Sequence, residues 1–406
     1  MSATLSPAGA YTEAEHKAHL RRALIASTVG TTIEWYDVRL YGTVTGLVFG
    51  KVFFPGSEPM VGVLQAFGVF FIGFVGRPIG AAIFGHYGDR IGRKATLIAL
   101  LLLTGAAMVA VGLVPGYASI GIWGAILLTF IRLIQGIGVG GEWGGSVLLG
   151  MEWSQSNKNR GFIASWPQFG APAGLFLANA AVLLSGWLSG DQFLTWGWRI
   201  PFLISIVMVG VGLWIRLGIL ETPVFQKILE EDRVERVPVL EVRKHQPKQV
   251  LPSALPRLPE QASGYIVGTF IFTYRTTVLG MTREFLLFGV RAQTVPGFLR
   301  VTIAGRLSDI VGRKRMFMTG YVIMGVFGFV YFAMLDTMMP SVIFIAAAIS
   351  LVPVMNLYGP EAALIAESFS PRLRRSGASL GYQLASVSAG GPGAVRINGR
   401  QHRSAR

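Results

Sequence analysis

The segment Gly85-His-Tyr-Gly-Asp-Arg-Ile-Gly-Arg-Lys94 returns, offset by 220 positions (305 − 85), as Gly305-Arg-Leu-Ser-Asp-Ile-Val-Gly-Arg-Lys314. Each copy follows the second long apolar stretch in its half of the chain. A weaker echo joins Glu152…Arg160-Gly161 to Glu367…Arg375-Ser-Gly377, after the fourth apolar stretch of each half. Self-similarity at a fixed offset indicates a duplicated unit, so the repeat predicts two parallel copies of one helical bundle.

The repeated segment also predicts a gate between the bundles. Its glycines permit a tight turn, its aspartate can cap or pair with a neighbouring helix end, and its basic residues suit a lipid interface. The alternative is that the cations are only topology anchors, but two copies at matching places favour a gate whose contacts change with state. The predicted gating residues are Gly85, Asp89, Arg90, Gly92, Arg93, Gly305, Asp309, Gly312 and Arg313.

The composition is that of a membrane protein. Of 406 residues, 52% are hydrophobic and 14% are charged, with a mean hydropathy of +0.53, whereas a soluble domain carries about a quarter charged residues. Uncharged runs such as 95–114 and 202–214 recur along the chain. About 20 apolar residues at 1.5 Å rise cross the hydrocarbon core of a bilayer. The 52 glycines would let such helices approach closely.

The net charge of +15 is distributed in a pattern. Basic clusters such as 90–94 and 313–315 fall in every second gap between apolar stretches, whereas gaps such as 115–119 and 336–340 carry almost no Lys or Arg. This positive-inside pattern predicts a cell inner-membrane protein with a cytoplasmic N-terminus, and it argues against nucleic-acid binding. The absence of cysteine excludes disulfides and cysteine metal sites, and no cleavable signal peptide is visible before Leu24.

The apolar stretches predict ten spans and the start of an eleventh. The predicted spans are 23–49, 61–86, 95–114, 120–148, 161–187, 198–219, 260–281, 284–304, 315–335 and 341–363, with another beginning near 377. The predicted domains are a cytoplasmic tail 1–22, a first bundle 23–220, a cytoplasmic linker 221–256, a second bundle 257–392 and a basic tail 393–406. The predicted fold class is an all-α multi-pass membrane protein of two six-helix bundles, the second incomplete, with about 10–11 helices.

Two carboxylates, Glu34 and Asp37, lie inside the first predicted span. Ionisable groups within a span are costly and by default mark function. Spaced i, i+3, the two share a face that Tyr41 extends at i+7. The alternative is a structural role, with both neutralised by hydrogen bonds or a partner cation. We predict that Glu34 and Asp37 take part in proton coupling and that Tyr41 contacts substrate.

A polar stripe marks the glycine-rich fourth span, where Arg132, Gln135 and Glu142 fall within about 80° of one another. Such a stripe is expected to face the bundle interior. Arg132 comes at about the same depth as the two carboxylates of the first span, so we predict that it pairs with Glu34 or Asp37. Glu142 is a third candidate for proton coupling, and Arg132 and Gln135 are candidates for substrate binding.

Three further residues complete the predicted substrate site. Arg77, in the second span, can hold a carboxylate by two parallel hydrogen bonds, or it is an interior partner for Glu142 or another acid. Gln168 lies in a proline- and glycine-rich part of the fifth span, which either frees backbone carbonyls toward a cavity or serves packing alone. Tyr358 is predicted to line the pathway with Glu361 and Glu367, although a loop position is the alternative for Glu367.

Together these residues resemble the major facilitator superfamily, and within it the metabolite:proton symporter family. The likeness covers most of residues 20–390, and its carriers are Glu34-Trp-Tyr-Asp37, Gly76-Arg-Pro78, Gly85…Lys94, Arg132…Gly141-Glu-Trp143, Ser165-Trp-Pro-Gln168, Trp196-Gly-Trp-Arg-Ile-Pro-Phe202, Glu221-Thr-Pro-Val-Phe225 and Gly305…Arg315. The resemblance implies a twelve-span fold in two bundles and alternating access. Members carry compatible solutes such as proline and betaine, or carboxylates such as citrate, 2-oxoglutarate and shikimate.

Three features depart from the family pattern. Val38-Arg39 follows the Glu-Trp-Tyr-Asp motif where the family has an aromatic or apolar pair. The predicted eighth span contains Arg291, Pro296 and Arg300, where apolar residues are expected. After Pro392 the chain is short and basic where the family continues through two more spans, so we expect a truncated or frame-shifted second bundle.

The predicted function is secondary active transport, with proton-coupled symport of a small organic acid or zwitterionic metabolite by alternating access. The alternative is a transport-inactive truncated paralogue that survives as a membrane interaction protein or is degraded. An intramembrane enzyme is not supported, because the sequence lacks His-Glu-x-x-His and Gly-x-Ser-x-Gly. The expected partners are a small-molecule substrate, protons and the lipid bilayer, without cofactor or metal, and the protein is expected to be monomeric.

Overall fold

The computed structural model describes residues 12–154, 157–230, 244, 247–265, 283–370 and 373–387, and these residues form helices and connecting turns without a strand. The first half contains the helices α1 Glu13–Val44, α2 Pro59–Arg90, α3 Arg93–Leu113, α4 Ile122–Glu152, α5 Arg160–Gln168, α6 Gly170–Ser189 and α7 Ile200–Leu217. Shorter turns of helix cover Thr45–Phe49, Gly50–Phe53, Tyr117–Ile120, Asn157–Asn159, Gly190–Leu194 and Gly197–Arg199. All six predicted spans of the first bundle are therefore helical.

The second half begins after two short connecting helices, α8 Pro223–Glu230 and α9 Pro247–Ala254. Its further helices are α10 Arg257–Tyr265, α11 Arg283–Val311, α12 Arg313–Asp336, α13 Pro340–Ile349, α14 Leu351–Glu367 and α15, residues 374–387. The predicted spans 284–304, 315–335 and 341–363, and the one beginning near 377, are helical. The end of the predicted span 260–281, the centre of the predicted linker and the predicted basic tail 393–406 lie outside the described residues.

The first helix starts at a capping box. The Thr12 hydroxyl accepts a hydrogen bond from the Glu15 backbone N–H at 3.3 Å, and the Glu15 carboxylate accepts one from the Thr12 backbone N–H at 2.8 Å. This arrangement satisfies two of the backbone donors that a helix start leaves unpaired. From there α1 runs 32 residues and continues into a π-helical turn, Thr45–Phe49. Such turns within helices are frequent at functional sites.

Helices α2 and α4 cross at backbone contact distance. A Cβ atom added to Gly136 would lie 2.0 Å from the Gly73 carbonyl oxygen, and one added to Gly140 would lie 2.0 Å from the Arg77 carbonyl oxygen. Only glycine fits at these positions, since any side chain would collide with the facing backbone. The glycine-rich pattern of the predicted fourth span therefore serves close helix packing.

The fifth predicted span is interrupted at Phe169, between α5 and α6. Gly170 and Gly174 follow this break and rest against the backbone of α1, where an added Cβ would come within 2.6 Å of the Thr32 nitrogen and 2.5 Å of the Tyr36 nitrogen. This contact favours packing as the reason for the unusual composition of the fifth span.

The two halves meet through α5, which contacts both α11 and α14. One buried apolar cluster contains side chains of both halves, among them Trp143, Val147, Ala164, Ala362 and Tyr382. The Trp143 and Tyr382 rings stack with their centroids 3.7 Å apart. The halves are therefore packed against each other in this state.

Within the described residues, seven helices are long and apolar enough to cross a membrane. They are Pro59–Arg90, Arg93–Leu113, Ile122–Glu152, Arg160–Leu194, Gly197–Leu217, Arg313–Asp336 and Pro340–Glu367. Helices α1 and α11 are long enough but carry several charged residues each. In α11, Arg300 donates a hydrogen bond to the Asn356 side-chain oxygen at 2.8 Å, so this cation has a polar partner inside the second half.

Candidate functional site

A buried ion pair joins α1 to α4. The Arg132 guanidinium contacts the Asp37 carboxylate at 3.1 Å, and the Gln135 side-chain amide donates to the same carboxylate at 2.5 Å. Arg132 also donates to the Gln135 oxygen at 2.6 Å, so the three side chains form a closed network. Asp37 is 1% exposed and Arg132 2%. Of the two predicted partners for Arg132, the structure therefore places Asp37 against it.

Aromatic rings form the floor of this network. The Arg132 guanidinium lies 4.2 Å from the centre of the Tyr41 ring and 5.1 Å from that of Phe70. Tyr41 is fully buried and stacks on Phe70. A cation over an aromatic face is stabilised by the negative potential of the ring. Tyr41, predicted as a substrate contact, thus supports Arg132 in this state.

Glu34 lies one turn before Asp37 but outside its network. The side chain is buried, and its Oε2 atom has no hydrogen-bond partner within the described part of the chain. Arg77 and Arg257 lie close enough to act on it electrostatically. Arg77 is itself buried, with its guanidinium 4.5 Å from the centre of the Phe74 ring. Glu34 and Arg77 therefore face the same interior region.

Glu142 is separate from the stripe in which the sequence placed it. Its carboxylate pairs with Arg216 of α7 and accepts a hydrogen bond from Ser146 at 2.9 Å. Arg216 also donates to the Leu97 carbonyl oxygen of α3. Gly30 of α1 leaves room for this pair, since an added Cβ would overlap the Arg216 guanidinium. Glu142 therefore binds α4 to α7, with Arg216 as its ion-pair partner.

The second half holds a charged cluster of its own. The Arg257 guanidinium lies 3.3 Å from Glu260 and 3.2 Å from Glu361. The same guanidinium sits 3.4 Å from the centre of the Tyr382 ring, and the Tyr382 and Tyr358 hydroxyls are 3.2 Å apart. All five side chains are buried. Two carboxylates thus share one cation.

A cavity of about 40 Å³ lies between the halves. Its lining residues are Trp35, Arg39, Ala171, Pro172, Leu175, Arg257, Glu260, Gln261, Gly264, Leu351, Val354, Met355 and Tyr358. Gln168 bridges the halves nearby, because its oxygen accepts from the Trp143 indole at 2.9 Å and its amide donates to the Tyr358 carbonyl oxygen at 3.1 Å. A larger groove of about 470 Å³ beside α1 and α5 is lined mainly by apolar side chains, which makes it a poor match for a polar metabolite.

At one end of the bundles, here called the motif end, lie both copies of the repeated segment. In the first copy the Asp89 carboxylate pairs with Arg93 at 2.9 Å. It also accepts hydrogen bonds across the halves from Ser376, from the backbone N–H at 3.1 Å and from the hydroxyl at 2.7 Å. Arg93 in turn contacts Glu152 at 3.1 Å. Asp89 therefore binds the first turn of α15.

The second copy makes the reciprocal contact. The Asp309 carboxylate accepts hydrogen bonds from the backbone N–H groups of Gly161 at 2.8 Å and Phe162 at 2.9 Å. It pairs with Arg313 at 2.8 Å, and Arg313 also contacts Glu367 at 3.1 Å. A carboxylate at a helix start is favoured by the unpaired N–H groups and the helix dipole. Each half thus supplies an aspartate to a helix start of the other half.

The motif glycines have two different tasks. Gly92 and Gly312 adopt φ values of +104° and +97°, which other residues rarely tolerate. Gly85 and Gly305 lie at the contact between the halves, where an added Cβ would come within 2.9 Å of the Ser376 Cα and 2.5 Å of the Ser165 side chain. Arg90, by contrast, is exposed. Asp89, Asp309, Gly85 and Gly305 therefore form the contact between the halves, and Arg93 and Arg313 pair with the two aspartates. Gly92 and Gly312 form the adjoining turns, and Arg90 lies on the surface.

Comparison with known proteins agrees with this architecture. Residues 22–253 match the family model described as sugar (and other) transporter, and residues 145–388 match MFS/sugar transport protein. An inner membrane metabolite transport protein of Escherichia coli K12 is 39% identical, over 90% of this chain and 84% of that one. The chain belongs to the major facilitator superfamily. The shikimate transporter of the same strain is 38% identical, over 91% of this chain and 85% of that one, and the proline/betaine transporter of Salmonella typhimurium is 31% identical, over 91% and 76%.

The fold has a solved counterpart in the same superfamily. The proton:xylose symporter XylE, bound to 6-bromo-6-deoxy-D-glucose, superposes with a TM-score of 0.75 at 18% identity, over 94% of this chain and 88% of that one. The two-bundle prediction is confirmed. This major facilitator is a multi-pass membrane protein and a secondary transporter rather than an enzyme, and its named relatives carry small molecules.

Sequence reasoning missed several charged residues of this major facilitator. Arg216 is a cation within the predicted sixth span, 198–219, and its position there was the signal for an interior partner. Arg257 and Glu260 stand at the boundary of the predicted linker, where charge is expected, so nothing distinguished them. The sequence predicts Glu361 only as a pathway residue, and nothing marks Tyr382 beyond its place in the last predicted span.

Proposed function

We propose that this protein is a proton-coupled symporter of a small organic acid or zwitterionic metabolite that works by alternating access. The observation that carries the proposal is the Asp37–Arg132–Gln135 network, buried at the crossing of α1 and α4. A carboxylate paired with a cation in a low-dielectric interior is a natural switch, since adding a proton removes the charge that holds its partner.

The network can supply enough free energy to bias two states. Removing one partner of a buried ion pair costs about 3–5 kcal/mol, because the other charge is left uncompensated. At 1.4 kcal/mol per tenfold, 3 kcal/mol changes an equilibrium by roughly a hundredfold. When Asp37 takes up a proton, Arg132 therefore needs a new partner, and the carboxylate of a substrate meets that need. Glu34 is the second candidate to carry a proton, because it faces the same interior, while Glu142 has a fixed cation in Arg216.

The substrate is proposed to bind between the halves, in contact with Arg77, Arg132, Gln135, Gln168 and Tyr358, with Tyr41 as support for Arg132. Shikimate, proline and betaine, which appear in the names of the relatives, all carry a carboxylate. An arginine binds a carboxylate well. The cavity of about 40 Å³ is far smaller than the roughly 300 Å³ or more of a metabolite pocket. Substrate entry therefore requires the halves to separate at one end.

The transporter is proposed to lie in the inner membrane as a monomer. Its motif end and its N-terminus are proposed to face the cytoplasm. The basic residues of both motif copies support this orientation, because cytoplasmic loops are enriched in Lys and Arg. The Asp89 and Asp309 contacts between the halves would then hold the cytoplasmic side closed until substrate and proton are bound from the other side.

Uptake by purified protein in liposomes tests the proposal. Labelled shikimate, proline and glycine betaine are offered with and without an inward proton gradient. We expect gradient-driven accumulation of at least one of them. Asp37→Asn is expected to abolish this accumulation but to retain exchange of labelled for unlabelled substrate when both sides of the membrane hold equal concentrations. Asp191→Asn, which removes an exposed carboxylate, is the matched control and should behave as wild type. Uptake that ignores the proton gradient in wild type would exclude symport.

A further inference from the structure

The charged cluster of the second half is unbalanced. Glu260 and Glu361 both contact Arg257, and the ion pairs that the structure describes for these two carboxylates are to this one guanidinium. Glu260 is 6% exposed, Glu361 0% and Arg257 1%. If both carboxylates were ionised, the cluster would hold one uncompensated negative charge in the protein interior. Such a charge is strongly destabilising unless a cation or a proton neutralises it.

The neighbours of the cluster are three tyrosines and two charged side chains of other helices. The groups that face it are Tyr358 of α14, Tyr382 of α15, Tyr321 of α12, and Glu34 and Arg39 of α1. The Tyr321 hydroxyl donates to the Pro256 carbonyl oxygen at 2.6 Å, just before α10. Among these groups Arg39 carries the positive charge that the two carboxylates lack.

Arg39 reaches the cluster from the other half. It is half-buried, lines the same cavity as Arg257 and Glu260, and lies close enough to Glu260 to act on it electrostatically. It stands two residues after Asp37, which places it about 200° around α1 from that carboxylate. This is the residue that departs from the apolar pattern expected after the Glu-Trp-Tyr-Asp motif.

The cavity has room for water beside the charged cluster. Its volume of about 40 Å³ exceeds the roughly 10–15 Å³ that one water molecule requires. The cavity is lined by Arg39, Arg257 and Glu260, which are polar enough to hold water. A water molecule in this cavity would lie beside Glu260 and could exchange a proton with it.

We propose that Glu260 and Glu361 form a second proton-binding pair, and that Arg39 of the first half competes with the proton for it. When the halves bring Arg39 against the pair, its positive charge replaces the proton, which leaves through the cavity. When the halves move apart there, Arg39 withdraws and one proton binds between the two carboxylates. The proposal rests on the proposed function, because it gives the released proton a place in the transport cycle.

Infrared spectroscopy of the reconstituted protein tests the pair without any substrate. The difference spectrum between acidic and alkaline buffer reports protonated carboxyl groups through their C=O stretching band. We expect Glu260→Gln and Glu361→Gln each to remove the same band component, and the double variant to remove no more than either one. Losses that add up, or a spectrum unchanged by both substitutions, would overturn the pair. Asp37→Asn should remove a different component.

Arg39→Gln tests the competition in protein whose carboxylates are intact. We expect its band to persist to more alkaline buffer, by on the order of a tenfold lower proton concentration or more, since an opposite charge within about 4–6 Å has that effect. Arg39→Lys, which keeps the charge, should titrate as wild type. Identical titration of Arg39→Gln and wild type would overturn the role of Arg39. If uptake proves independent of protons while these spectra change as expected, the proposed function fails and the proton-binding pair stands.

Discussion

Replacing Asp89 by asparagine should open the motif end. The carboxylate pairs with Arg93 inside the first half and accepts two hydrogen bonds from Ser376 of the second half. The contact with Arg93 can persist when the halves separate, so its loss affects both states. The two bonds to Ser376 exist only while the halves are joined. Their weakening therefore acts on the joined state alone.

The size of the effect follows from these two bonds. A hydrogen bond to a charged group contributes about 1.5–3 kcal/mol and one between neutral groups about 0.5–1.5 kcal/mol, so each bond loses about 1 kcal/mol when the carboxylate becomes an amide. Two bonds give about 2 kcal/mol, which changes the ratio of joined to separated states by roughly thirtyfold. A state populated at about 1% would rise to about a quarter.

Distances between two spin labels measure this change. The chain contains no cysteine, so labels attach only at introduced positions. Ile91→Cys and Ser368→Cys put one exposed label on each half at the motif end. Asp89→Asn should add a population at longer distance, which Asp191→Asn should not. A distance distribution identical to that of the parent protein would refute the view that the Ser376 bonds are specific to the joined state.

Two further substitutions test packing and pairing in the first half. Gly140→Val should abolish folded protein in size-exclusion chromatography, because even a Cβ would lie 2.0 Å from the Arg77 carbonyl oxygen, whereas Gly186→Val, with open space around it, should not. Arg216→Met should lower thermal stability by about 3–5 kcal/mol, since Glu142 is left buried without its cation. Adding Glu142→Gln should restore most of that loss, and a double variant no more stable than Arg216→Met would contradict the pair.

The ion pair between α1 and α4 could be anticipated from the sequence because it depends on depth alone. Glu34 or Asp37 in one span and Arg132 in an oppositely directed span reach the same level of the membrane. One turn of α1 separates the two candidates, however, and depth does not say which of them faces α4. In the structure Arg132 also contacts Gln135 and Tyr41, and in this position it pairs with Asp37.

The pairing of Glu142 could not be anticipated in the same way. Helical periodicity placed Glu142 near Arg132 and Gln135 on one face of α4, but the angle around a helix does not reveal which neighbour covers each part of that face. The neighbour at Glu142 is α7, which reaches it past Gly30 of α1. The choice is made by packing, and packing depends on side-chain sizes at many positions at once.

The eighth predicted span shows the limit of composition. Arg300 and Pro296 marked it as poor, and its helix is not among the described ones apolar enough to cross a membrane by hydropathy. Even so, α11 continues through Pro296 to Val311. A hydropathy average penalises Arg300 regardless of its surroundings, whereas in the structure Arg300 donates a hydrogen bond to the Asn356 side chain. A polar partner inside the protein lowers the free-energy cost of burying a charged side chain. The sequence of one segment does not show which partner that side chain will have.

Helix α1 carries Asp37 on the side that meets α4 and Arg39 on the side that meets the second half. Both side chains are attached to the same helix, so a rotation of α1 as a rigid body would move both of them. A rotation that pulls Asp37 away from Arg132 must also swing Arg39 relative to Glu260. The protonation of Asp37 and that of the Glu260–Glu361 pair would then be coupled directly through α1, without other residues between them.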